Sequence, residues 1–254
     1  MRRALCLLFL ISALPPVEAK LRTRIFHRRS SGFSVRRRLF TSPLITDPGN
    51  VDLEYSGAFD TNSSYTLPAT LKYTPDQWQT EFSAGVDSIA SVVDDTTGRT
   101  THFSDHVNLA ATTAFKAGDN FSWAIAPTAA VFLRGESGSR LGGALYGRYD
   151  RGFNTFSGGT SWNGATRSSA TNPAGTLDLN AGYGRKLGSF TAYTNVQWER
   201  STGVDAFYSL FEGAEYQLNE RFAIDLSGAH YGIRSGTIDN QIVLGLTCTL
   251  YKRH

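Results

Sequence analysis

The chain has 254 residues, with 25 Lys and Arg against 22 Asp and Glu, and two cysteines. Cysteines at positions 6 and 248 alone exclude a disulfide scaffold and a cysteine-based zinc site. The formal charge of +3 does not describe a nucleic-acid binder: ten basic residues fall in the first 38 positions, and the remainder holds 15 basic and 21 acidic residues.

Residues 1–19 read as a secretory signal. Arg2 and Arg3 precede an apolar run from Ala4 to Leu14, and Val17-Glu18-Ala19 offers a small-residue cleavage site. The run is too short for a membrane-spanning helix, which needs about 20 residues. Residues 20–47 are basic, with Arg36, Arg37 and Arg38 in a row, and have little periodicity. They read as a disordered periplasmic extension. No later apolar run reaches the roughly 18 residues of a helical span.

From position 51 onward the chain falls into about twelve short segments of alternating apolar and polar residues, the period of a β-strand with two unlike faces. The first, 51–60, sets Val51, Leu53, Tyr55 and Phe59 against Asp52, Glu54, Ser56 and Asp60. The second is the cleanest: Tyr65, Leu67, Ala69, Leu71 and Tyr73 alternate with Ser64, Thr66, Pro68, Thr70 and Lys72. The third, 78–90, turns Trp78, Phe82, Ala84 and Val86 one way and Gln79, Glu81, Ser83 and Asp87 the other. The fourth, 101–116, opposes Val107, Leu109, Ala111 and Phe115 to His106, Asn108, Thr112 and Lys116. In the fifth, 121–134, Phe121, Trp123, Ile125, Val131 and Leu133 oppose Ser122, Thr128 and Arg134. In the sixth, 140–150, Leu141, Leu145 and Tyr149 oppose Arg140, Tyr146, Arg148 and Asp150.

The seventh, 153–163, is rich in Gly and Thr and carries the weakest pattern. The eighth, 176–186, alternates Leu177, Leu179, Ala181 and Tyr183 with Asp178 and Asn180. The ninth alternates Phe190, Ala192, Val196 and Trp198 with Thr191, Asn195, Gln197 and Glu199. The tenth, 205–217, has an ambiguous phase, such as a bulge would produce. The eleventh, 222–233, opposes Phe222, Ile224 and Leu226 to Asp225 and Ser227; the twelfth, 239–251, opposes Ile242, Leu244, Leu246, Cys248 and Leu250 to Gln241, Thr247 and Thr249.

This pattern predicts an all-β fold: one antiparallel transmembrane β-barrel of about twelve strands over 48–254, apolar outside and polar inside. Loop lengths agree. Alternate connections are short, at 74–77, 117–120, 151–152, 187–188 and 218–220, as periplasmic turns are; the long stretches 91–100 and 164–175 fall on the external side. Tyr65, Tyr73, Trp78, Phe115, Trp123, Trp198, Phe222 and Tyr251 sit near strand ends, where aromatic rings suit a membrane–water interface. A soluble barrel would alternate too, but its apolar face would fill a core and would not need this fringe. The expected location is the cell outer membrane, and the expected partners are the lipid bilayer, the outer-membrane assembly machinery and a small permeant. Neither nucleic acid nor a cofactor is expected.

Two stretches carry a family resemblance. One is Pro43-Leu44-Ile45-Thr46-Asp47 followed by Val51-Asp52-Leu53-Glu54-Tyr55; the other is 211–250, FEGAEYQLNERFAIDLSGAHYGIRSGTIDNQIVLGLTCTL. In these the chain resembles the meta-pathway phenol-degradation transporter family of outer-membrane β-barrels. That resemblance implies passage of small, often aromatic or apolar compounds, and brings no catalytic residues. The family usually ends on an aromatic residue, whereas here Lys252, Arg253 and His254 follow Tyr251.

The candidate site is the lumen. Asp52, Glu54, Glu81 and Asp87 on the first and third segments, and Arg134, Arg140 and Arg148 on the fifth and sixth, share the inward phase. They could build a transverse field that selects permeants, or pair with one another and close the barrel. The function expected is a channel for small solutes; the alternative is a non-conducting barrel that binds through its external loops. Asp94, Asp95, His102, Asp105 and His106 cluster at one external loop, but no nucleophile elbow, metalloprotease or phosphate-loop motif accompanies them, and no enzyme or metal site is expected.

Overall fold

The computed structural model describes residues 44–60, 64–75, 78–95, 98–133, 138–168, 173–233 and 239–252. Its strands are β1 (Val51–Asp60), β2 (Tyr65–Thr66), β3 (Ala69–Tyr73), β4 (Thr80–Val86), β5 (Ser91–Asp95), β6 (Gly98–His102), β7 (His106–Lys116) and β8 (Phe121–Phe132). They continue as β9 (Arg140–Arg151), β10 (Asn154–Ala165), β11 (Gly175–Leu187), β12 (Phe190–Ser201), β13 (Phe207–Gln217), β14 (Phe222–Tyr231) and β15 (Asp239–Tyr251).

All belong to one sheet, and β15 pairs back onto β1, so the sheet has no free edge along its main wall. Twelve strands (β1, β3, β4 and β7 to β15) are the staves of a closed antiparallel barrel, as the alternation predicts. The other three, β2, β5 and β6, extend the wall at the external rim, where β2 pairs with both β1 and β5. Tight turns at the opposite rim use Gly152 and Gly188 at φ +61° and +69°, a conformation that costs glycine nothing and most residues a good deal.

Four expectations change. The second predicted strand is split at Leu67-Pro68 into β2 and β3, because proline has no N–H to give the ladder; the Pro68 carbonyl still accepts from Ser56. The external stretch 91–100 is largely the β5–β6 hairpin, and the fourth predicted strand is divided by residues 103–105 into β6 and β7. The Gly-rich seventh segment is a strand as expected, β10, and its weak pattern does not disturb the pairing, which is residue for residue on both sides. β13 has no bulge: its register steps one for one against β12 and β14. The register shift lies instead between Val51 and Asp52, where β1 meets β15.

Candidate functional site in the barrel lumen

The two faces of the wall meet different solvents. Leu71, Phe82, Leu109, Ile125, Leu145, Leu226 and Leu244 point outward and are exposed. Lys72, Glu81, Thr112, Asp178, Asn195, Gln197 and Ser209 point inward and are buried, Lys72 at 1% exposure. An exposed apolar belt of this extent on a closed barrel faces lipid.

Aromatic side chains border the belt. Phe115 stacks on Trp123 at 4.3 Å, Phe190 meets Tyr216 at 4.5 Å and Trp78 meets Phe82 at 5.8 Å. These pairs, with Tyr73, Phe222 and Tyr251, lie toward the short-turn rim. Tyr65 packs by Phe59 at 6.5 Å, and Trp198 stands opposite Tyr208 in the register, both toward the long-loop rim.

A segment ahead of β1 enters the lumen. Asp47-Pro48-Gly49-Asn50 forms a turn in which the Asn50 N–H donates to the Asp47 carbonyl at 3.0 Å, with Gly49 at φ +83°. Proline then glycine at its centre is what a type II turn requires. Gly49 also donates to the Thr74 carbonyl at 2.7 Å, tying the turn to the end of β3. The reversal sends residues 44–46 back along the inner wall. There the Thr46 N–H and hydroxyl both donate to Glu81 Oε2, at 2.7 and 2.5 Å, with both residues buried. Leu44 packs against the inward cluster of Ala124, Ala126, Ala144, Tyr146 and Tyr193.

Several of the other inward charges meet partners close by. Lys72 Nζ donates to Glu54 Oε1 at 2.8 Å across β1 and β3. Asp52 accepts from the Thr249 hydroxyl at 2.7 Å. Asp87 meets His106 Nε2 at 2.9 Å and accepts from Asn108 at 2.6 Å, while His106 Nδ1 faces Asp105 at 2.8 Å. Asp178 accepts from Gln197 at 2.5 Å and Ser161 at 3.2 Å. Arg148 donates through two nitrogens to Asp150 on its own strand, at 2.8 and 2.9 Å. Arg140, near the external rim, donates to Asn163 Oδ1 at 2.6 Å, the Pro173 carbonyl at 2.8 Å and the Thr176 hydroxyl at 3.0 Å.

These contacts group Glu54 with Lys72, Glu81 with Thr46, Asp87 with His106 and Arg148 with Asp150. Arg134 lies outside the described residues, as do the side chains of Asp94, Asp95 and His102. A cavity of about 220 Å³ opens at the short-turn end, lined among others by Thr46, Asp52, Glu54, Glu215, Asp225 and Lys252. Sequence reasoning put Lys72 and Tyr146 on the polar phase without naming them as site residues, and did not single out Thr46 or the inward aromatics Tyr193, Phe211 and Tyr231. Phase alone marks Lys72; the Asp-Pro-Gly-Asn turn is the one local signal for Thr46.

A closed twelve-strand ring with a lipid-facing outside and a polar inside defines an outer-membrane β-barrel. No protein-family model matches the sequence, and no curated protein matches it. Among solved structures the chain is similar to a KdgM porin, with TM-score 0.58 and 9% identity over 79% of this chain and 99% of that one. It is likewise similar to a NanC porin, with TM-score 0.59 and 11% identity over 78% of this chain and 100% of that one. At such identities the likeness is one of fold.

Proposed function

We propose that this protein is an outer-membrane channel for small solutes. The observation that carries the reading is the inner wall: hydrogen-bonding side chains run from the cavity at the short-turn rim to Arg140 near the external rim, inside a wall that lipid surrounds. Among the described residues the inward acids (Asp52, Glu54, Glu81, Asp87, Asp150, Asp178, Glu199, Glu215 and Asp225) leave an acidic surplus over the inward or cavity-lining bases Lys72, Lys116, Arg140, Arg148, Lys186, Arg221 and Lys252. A narrow low-dielectric path with that surplus favours cations and neutral polar solutes over anions. Tyr146, Tyr193, Phe211 and Tyr231 add aromatic faces to the same wall. They support the finer reading, passage of small aromatic compounds, which the family resemblance also implies. β15, ending on exposed Tyr251, is the strand that the outer-membrane assembly machinery would engage.

A second reading, a non-conducting barrel, is favoured by one observation: residues 44–46 occupy lumen space and hold Glu81. Reversal-potential recordings in planar bilayers separate the two. The channel reading expects steps of conductance and cation preference under a salt gradient. Silent membranes containing heat-modifiable, folded protein would favour the second.

A further inference from the structure

The outer wall has one place where its chemistry contradicts its surroundings. On β13 the outward positions are Tyr208, Leu210, Glu212, Ala214 and Tyr216; on β12 they include Phe190, Ala192, Thr194, Val196 and Trp198. Register pairs Phe190 with Tyr216, Thr194 with Glu212 and Trp198 with Tyr208. Glu212 is therefore midway between the two aromatic rows, four residues or about 13 Å of strand from each. Its side chain is 50% exposed, and a Glu side chain cannot snorkel that far to water.

Its one polar partner among the described residues is His230, also outward, on β14. His230 Nε2 lies 3.7 Å from Glu212 Oε1, a contact longer than a hydrogen bond that is ionic when the imidazole carries a proton. The imidazole lies over Gly228 on its way toward Glu212: a Cβ built there would sit 3.7 Å from His230 Nε2, in ordinary contact with it. The other ring nitrogen, Nδ1, is 2.6 Å from Asn240 Oδ1 on β15. Thr194, Glu212, His230 and Asn240 thus place polar groups on four successive strands. Small outward residues, Ala192, Ala214 and Gly228, floor the patch, and Val196, Leu210, Leu226 and Ile242 rim it. Among the described residues, no other acid or base faces outward between the aromatic rows.

We infer that this face is a docking surface for a second copy of the same chain. Acyl chains cannot satisfy a carboxylate at mid-depth, so the cover must bring polar groups to that depth. A second copy in the same bilayer does so by necessity, because identical barrels sit at identical heights. A two-fold axis along the membrane normal sets the acid of each patch toward the imidazole of the other, so the surface is self-complementary. The small floor lets the two walls approach, and the apolar rim excludes lipid at the edge.

The test is disulfide trapping in outer membranes. Thr194→Cys and, on the far wall, Leu109→Cys are placed singly in a Cys6→Ser, Cys248→Ser background. Oxidation should give a homodimer from Thr194→Cys and far less from Leu109→Cys. Adding Glu212→Leu with His230→Leu, which suit a lipid-facing wall and preserve heat-modifiability, should weaken dimerisation roughly tenfold or more, the scale of a lost charge-assisted contact. Equal trapping at both sites, no trapping at either, adducts only to other proteins, or trapping unaffected by the leucines would each overturn the assignment.

Discussion

The wall of β3, β4 and β7 and the wall of β12 to β14 follow the same geometry with opposite clarity. In the first, Leu71 and Tyr73 flank Lys72, and Phe82 follows Glu81; each side chain meets either lipid or lumen, and polarity reports which. In the second, Phe211 is buried inside and Glu212 is exposed outside, although the backbone register is just as regular. The inversion is chemical, not geometric. Polarity alternates where a wall has two environments, and fails where a third, another protein surface, replaces lipid.

Breaking the first wall from inside has the largest expected effect. Lys72→Met leaves Glu54 without its ion-pair partner in the barrel interior and is expected to cost about 3–5 kcal/mol. Urea unfolding in detergent measures this, and adding Glu54→Gln should recover most of the loss. Second comes β15, where the two environments lie three residues apart. Leu244, 51% exposed, faces lipid, and Thr247 lines the lumen cavity. Leu244→Arg should cost about 2–4 kcal/mol at mid-depth, and Thr247→Arg clearly less. The reverse order in refolding titrations would mean that the register of β15 is off by one.

The second wall should answer with the opposite sign. At an excess of detergent over protein that keeps the chain monomeric, Glu212→Leu is expected to raise stability by about 1 kcal/mol, since a carboxylate on the lipid face costs less than Arg or Lys but still costs. A loss of stability there would place Glu212 in a role within the monomer. An effect of similar size is expected at residues 44–46, the strap that Thr46 anchors to Glu81 inside the lumen. Thr46→Val removes one of two hydrogen bonds to Glu81, worth about 1 kcal/mol, and the Thr46 N–H keeps the other.

Much of the barrel could be read in the sequence because its determinants are local. Leu71-Lys72-Tyr73 states its facing in three residues, and the outward Leu177, Leu179 and Leu244 do likewise. Pro68 marks the break between β2 and β3 as clearly as any residue can, yet its strand phase continues across it and hides the break. β13 lost its phase to Glu212 and Phe211, the residues that make that wall different. The strap was half legible: Asp47-Pro48-Gly49-Asn50 announces a reversal. Where the chain goes afterwards depends on Glu81, 35 residues downstream of Thr46, and on a lumen that exists only once the barrel closes. The inward charges show the same limit. Phase placed Arg148 and Glu54 inside, but it could not choose Asp150 and Lys72 as their partners.

The central claim, that the lumen is a solute path narrowed by the chain's own residues 44–46, is tested most directly by single-channel recording on two proteins. One is the chain from Lys20; the other begins at Asp47, so that the Asp47-Pro48-Gly49-Asn50 turn keeps its hydrogen bond and residues 44–46 are gone. The account predicts larger conductance steps for the shorter chain, with a cation-selective reversal potential in both. Equal conductance in the two would contradict the strap, and absence of any conductance in the shorter, folded chain would contradict the path itself.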